Sequence, residues 1–121
     1  MLKVLVLDTD NVSMEVRDIE DELEVFYEII GCRCIDIPSR KIGSKYYDII
    51  VDDEGLLVGK MVSAIDENFE PMLVGNLIIC NSDQEGNLVS LTDEDISIIQ
   101  HSVKYGYTRD GRTAIAVKMS Y

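Results

Sequence analysis

Two short segments hold residue types that can bind an anion. Arg40, Lys41 and Lys45 stand just ahead of Tyr46 and Tyr47, and Tyr105 and Tyr107 stand just ahead of Arg109 and Arg112. A tyrosine ring stacks on a nucleobase while an arginine fork or a lysine ammonium holds a phosphate. The residues expected to bind ligand are therefore Arg40, Lys41, Lys45, Tyr47, Tyr105, Tyr107, Arg109 and Arg112, and the expected ligand is a small nucleotide-type molecule. The plainer explanation of the same residues is half-buried strand tyrosines beside cations that solubilise hairpins.

These cations stand out because the chain is acidic. Its 121 residues carry 23 Asp and Glu against 11 Lys and Arg, for a formal charge of −12. Residues 31–50 and 101–121 are the two stretches with a positive balance, +2 and +3. If the fold joins them, an anion site sits inside an acidic whole. Otherwise they pair with surface carboxylates, as surface charges usually do. The overall charge argues against direct binding to nucleic acid or to an anionic membrane, both of which need Lys and Arg opposite phosphates.

Other constellations fall short of known chemistry. Cys32-x-Cys34, Cys80 and His101 make up a Cys₃His donor set, but their spacing is not that of a zinc knuckle. Reduced cysteines acting as small apolar residues are expected instead. Asn81-x-Asp83-x-Glu85-Gly86 looks like half a calcium loop, yet its twelfth position is Thr92 where a bidentate Glu is needed. Asp52, Asp53 and Glu54 are adjacent, so they do not converge as a carboxylate pair must. His101 is the sole histidine, without a G-x-S-x-G elbow, and Ile42-Gly43-Ser44-Lys45 is far from a phosphate loop. No enzyme activity, metal or cofactor is expected.

The elements that must position these residues can be read from periodicity. Leu2–Leu7 is almost wholly apolar, as in a strand buried on both faces. It ends at Asp8 with no A-x-A-like site, so it is read as a strand and not as a signal peptide. Asp8–Asn11 turns the chain, and Met14–Ile19 returns as a hairpin partner. Leu23, Phe26, Tyr27 and Ile30 mark one face of a helix over 21–30, closed by Gly31. Strands are expected over 32–37, 46–51, 72–80 and 88–91, and Asp52–Gly55 is expected to turn into Leu56-Leu57-Val58. A helical turn or loop is expected over 60–70. Thr92 caps a second helix with Asp95 at its third position. Ile96, Ile99 and Val103 form that helix's buried stripe, and Gly106 ends it. Arg109–Arg112 turns into a last strand over 113–119. The expected fold is α+β, a single domain over 1–121. It has a mostly antiparallel sheet of about seven short strands, with two helices covering one face. The apolar share of 46% supplies a core. No run approaches the length of a membrane span.

The segment Asn76–Ile96, with Asn81-Ser82-Asp83-Gln84-Glu85-Gly86-Asn87 at its centre, resembles the domain-of-unknown-function family 3846. The opening Leu2–Leu7, the acidic helix ending at Gly31 and Ile50–Leu56 are similar to that family's layout. On this resemblance 1–104 is the family-like core and 105–121 a C-terminal hairpin extension. The resemblance implies a small cytoplasmic protein of bacteriophages or mobile elements of Gram-positive bacteria, with no activity or catalytic residue to carry over.

Together these readings point to a non-catalytic accessory protein that works by binding. The specific expectation is counter-defence by sequestering a nucleotide-type immune signal, in a homo-oligomer whose pocket lies between protomers. The alternative is an acidic inhibitor of a basic host defence enzyme, in which the carboxylates of residues 15–28 and 83–95 imitate a row of phosphates. Three reduced thiols fit the cytoplasm of the host bacterium.

Overall fold

The apolar opening run is an interior strand of a sheet that is covered on both faces. The computed structural model describes residues 1–54 and 60–121. In chain order its elements are β1 (Leu2–Asp8), β2 (Ser13–Ile19), α1 (Leu23–Ile30), β3 (Ile35–Asp36), β4 (Ser39–Ile42) and β5 (Lys45–Asp52). Then follow β6 (Val62–Ile65), β7 (Pro71–Val74), β8 (Leu77–Ser82), β9 (Leu88–Val89), α2 (Asp93–His101), β10 (Val103–Tyr107) and β11 (Thr113–Lys118). The first sheet runs β2-β1-β8-β5-β3, with β4 also on β5 and β9 also on β8. Its ladders are antiparallel. The second sheet runs β10-β11-β6-β7, with β11 parallel to β6.

Period-two alternation divides the side chains of the first sheet between two cores. Leu5, Leu7, Tyr47, Ile49, Leu77 and Ile79 face one side, where they meet Ala64, Ile115, Val117 and Met119 from the second sheet and Ile99 from α2. Val4, Val6, Ile50, Ile78 and Cys80 face the other side, where Phe26 and Ile30 of α1 cover them. The two helices therefore lie on opposite faces, and not on one face as the sequence suggested. The reason is that β1, β5 and β8 are apolar on both sides, and each side must be covered.

Four expectations about elements are corrected. Residues 72–80 are two strands, because Gly75 turns the chain with φ +80 and sends β7 and β8 to different sheets. Residues 60–70 hold strand β6 and a turn. Helix α2 ends at His101 with Ser102 as its cap, and Gly106 lies within β10. Over 32–37 only Ile35 and Asp36 pair as strand. The expected segment Leu56-Leu57-Val58 lies outside the described residues. The capping box of α2 is present with both of its hydrogen bonds. Residues 105–121 complete the core through Ile115, Val117 and Met119.

Candidate functional site

The first basic segment is the β4–β5 hairpin, turned at Gly43-Ser44. Gly43 has φ +63, and a Cβ there would come within 2.8 Å of Ile98 on α2. Beyond this turn the hairpin forms a polar centre. Asp95 is 1% exposed. Its Oδ1 accepts from Lys45 Nζ at 2.9 Å and from the Tyr47 hydroxyl at 2.8 Å. Its Oδ2 accepts from Asn81 Nδ2 at 3.2 Å and from the Thr92 amide at 2.9 Å. Burial pushes the Asp95 carboxyl up, but the bonds from Lys45, Thr92 and Tyr47 outweigh it and hold the pKa at about 2. Burial, and then the bond to Asp95, raises the Tyr47 hydroxyl above its ordinary value.

This centre corrects two expected ligand contacts. Tyr47 is 1% exposed and offers no ring face to a ligand. Lys45 is paired with Asp95. Both serve to fix α2 against β5 and β8. Arg40 is also partly used: its guanidinium lies 4.6 Å from the centroid of the Tyr121 ring, and its Nη1 donates to the Ser39 carbonyl.

The two basic segments meet only in part. Lys41 pairs with Ser120 through two backbone hydrogen bonds, which brings the first segment to the chain that follows β11. Arg109 and Arg112 lie at the opposite end of β11, where Arg112 pairs with Asp110. From Thr113 to Ser120 the chain spans about 23 Å at strand rise. The hairpin tip and Lys41 therefore do not share one small ligand.

A different set of residues comes together along β11. Ile115, Val117 and Met119 are buried beneath it. By alternation Ala114, Ala116, Lys118 and Ser120 form its outer side. Cross-strand pairing places Gly106 beside Ala114, Lys104 beside Ala116, Ile65 beside Lys118 and Lys41 beside Ser120. The result is an open strip about 20 Å long. Near Ala114 and Ala116 it forms an apolar groove of about 250 Å³, flanked by Phe69 and by Lys104, Tyr105 and Tyr107 of β10. Near Lys118 it forms a second hollow of about 230 Å³, lined by Lys41, Ser102, Ser120 and Glu67.

Lys41, Lys104 and Lys118 thus punctuate one face. Among the described residues three ion pairs form, Lys45–Asp95, Lys60–Asp52 and Arg112–Asp110, and none involves these lysines. Phe69 stands at the groove 67% exposed with φ +62, a backbone region costly for a bulky residue. Sequence reasoning identified Lys41 and missed Lys104, Lys118 and Phe69. The alternation of Ala114, Ala116, Lys118 and Ser120 against Ile115, Val117 and Met119 was the signal available for Lys118.

Tyr105 and Tyr107 are 68% and 81% exposed. They stand opposite Ile115 and Thr113, so their rings leave β10 on the side away from the lysines. They occupy the open edge of the second sheet and there border the apolar groove together with Lys104 and Phe69.

The donor set considered for zinc is divided by the first sheet. Cys80 belongs to the core under α1, and α2, which carries His101, packs on the other side. The Cys80 thiol donates to the Val89 carbonyl, and burial raises its pKa to about 11. Asp83 accepts from the amides of Glu85 and Asn87 and so closes the β8–β9 turn. Among the described residues no group of three or more His, Cys, Asp or Glu side chains is placed to hold a metal, and no helix is long and apolar enough to cross a membrane.

A family model described as Domain of unknown function (DUF3846) matches residues 2–104. No curated protein and no solved structure matches the chain.

Proposed function

The chain belongs to the DUF3846 family, and we propose that it works by binding a small nucleotide-type molecule and not by catalysis. The observation that carries this reading is the strip along β11. On a protein of charge −12, Lys104 lines an apolar groove and Lys41 and Lys118 line the hollow next along the strip, and none of the three forms an ion pair among the described residues. Surface lysines on so acidic a chain have many carboxylates to pair with, and a face that keeps them free is suited to an anionic ligand. The groove with its alanine floor and Phe69 takes a planar ring, and Lys118 and Lys41 take the phosphate. Glu67 adds an acceptor for a sugar hydroxyl. In the setting that the family resemblance implies, such a protein acts in the host cytoplasm. It is a phage or mobile-element accessory protein that sequesters a nucleotide-type immune signal.

Titration calorimetry with mononucleotides and cyclic oligonucleotides tests the reading. Binding is expected for the native chain, a loss of tenfold or more for Lys118→Glu, and an unchanged constant for Arg109→Glu. Equal affinity in the native chain and Lys118→Glu overturns it.

One observation favours a second reading, an acidic inhibitor of a basic enzyme. Glu15, Asp18, Glu20, Asp21, Glu22 and Glu24 are all exposed along edge strand β2 and the approach to α1. None of the three ion pairs among the described residues involves them. Its mark is a binding constant that falls steeply with salt and is lost on neutralising Glu20, Glu22 and Glu24.

A further inference from the structure

Free sheet edges recruit other strands unless something blocks them. Most edges of this protein are blocked. β2 carries Glu15, Arg17 and Asp18 in alternation with Val16. β7 starts at Pro71, which lacks an amide hydrogen, and its ladder with β6 is irregular. β3 and β9 are two residues long. β4 is covered on its outer side by the backbone of Ser120.

β10 carries a single charge, Lys104, and is otherwise without these devices. It runs Val103-Lys104-Tyr105-Gly106-Tyr107 without proline, and its five pairs with β11 follow one register without a bulge. It is the outermost strand of the second sheet. Two large aromatic rings, Tyr105 and Tyr107, stand exposed on it.

The hydrogen-bond parity of β10 fixes what can dock there. The Lys118 amide donates to the Ser102 carbonyl, and the Thr108 amide to the Arg112 carbonyl. In an antiparallel ladder bonded pairs alternate with unbonded pairs, so the bonds to β11 belong to Lys104 and Gly106. The amide and carbonyl of Val103, Tyr105 and Tyr107 therefore point to the free edge. They are three donors and three acceptors, spaced as an antiparallel partner requires.

We propose that this edge binds the same edge of a second copy of the chain, with the two β10 strands antiparallel about Tyr105. In that register Tyr105 faces its counterpart and Val103 faces Tyr107 of the other chain. All three are outward-pointing positions, so all six edge groups of each chain are paired. Tyrosine meets tyrosine and tyrosine meets valine on one face, the pairings that stabilise antiparallel ladders. On the other face Lys104 lies over Gly106 of the partner, so no like charges are directly opposed. A register shifted to centre on Lys104 sets lysine against lysine and leaves one edge position unpaired. A register centred on Gly106 also loses a pair. The five-residue sequence is self-complementary in one alignment, and the occupant it fits is its own copy. The product is one continuous eight-stranded sheet with the two lysine strips side by side across the two-fold axis. This inference does not depend on what the strip binds.

The test is the mass of the full chain in solution by light scattering and sedimentation equilibrium, together with crosslinking in a Cys34→Ser background that removes the exposed native thiol. The native chain is expected at twice its chain mass, and Tyr105→Lys at the chain mass with its fold retained by circular dichroism. Tyr105→Cys is expected to form a disulfide-linked dimer on oxidation, since directly opposed bonded positions lie about 5.5 Å apart at Cα, within disulfide reach. Lys104→Cys is expected to form none. A native chain that stays at the chain mass at its highest soluble concentration overturns the proposal. So does efficient crosslinking through residue 104 with none through residue 105.

Discussion

Asp95 and Lys45 are fifty positions apart in the chain, and their charged groups lie 2.9 Å from each other. The pair ties the first turn of α2 to the start of β5, and it uses a lysine that the sequence offered as a ligand contact.

Asp95 makes the fold sensitive to acid. Its pKa is lowered from an ordinary 3.8 to about 2 in the folded protein. Its contribution is therefore complete above pH 3.8 and is lost as pH falls through about 2. That shift is worth about 2 kcal/mol. Urea midpoints measured from pH 5 down to pH 2 are expected to drop over the lower part of that range. In Asp95→Asn this component of the drop is absent, and the variant loses about 2–4 kcal/mol at neutral pH. Lys45→Ala costs only about 1 kcal/mol, because its ammonium is half in solvent.

Ser63 is fully buried on β6, and its hydroxyl has no hydrogen-bond partner among the described residues. Such a group carries its desolvation cost without return. Ser63→Ala is expected to raise stability by about 0.5–1 kcal/mol, read as a higher urea midpoint at unchanged slope.

Phe69 trades stability for an exposed ring. Its left-handed backbone costs a bulky residue about 1 kcal/mol, and asparagine tolerates that conformation. Phe69→Asn is expected to raise the melting temperature by about 4 °C. The same variant is expected to weaken nucleotide binding, so the two readouts move in opposite directions. A variant that is less stable and binds as well as the native chain contradicts the role given to the ring.

The local features of the fold were legible where one principle decided them. The hairpin of β1 and β2, the Gly31 stop of α1 and the Thr92–Asp95 capping box all depend on neighbours within a few residues. The errors came where distant packing decided. Pro71–Cys80 reads as one apolar run, and a single residue, Gly75, divides it between two sheets. Val103 continues the helical spacing of Ile96 and Ile99, yet it pairs with Val117 as strand. Of the residues expected to bind ligand, the cations were visible but their partners were not. Nothing near Lys45 in the chain announces Asp95, and nothing near Lys41 announces Lys118, because both pairings are made by the sheets.

The most direct test of the central claim is a thermal-shift screen of the native chain and Lys118→Glu against mononucleotides, cyclic oligonucleotides and ADP-ribose derivatives. A ligand at 100 times its dissociation constant adds about 2.7 kcal/mol, a shift of several degrees at this size. A selective shift in the native chain that disappears in Lys118→Glu is the predicted result. No shift with any compound, or the same shift in both proteins, contradicts the claim that the lysine strip along β11 is a nucleotide site.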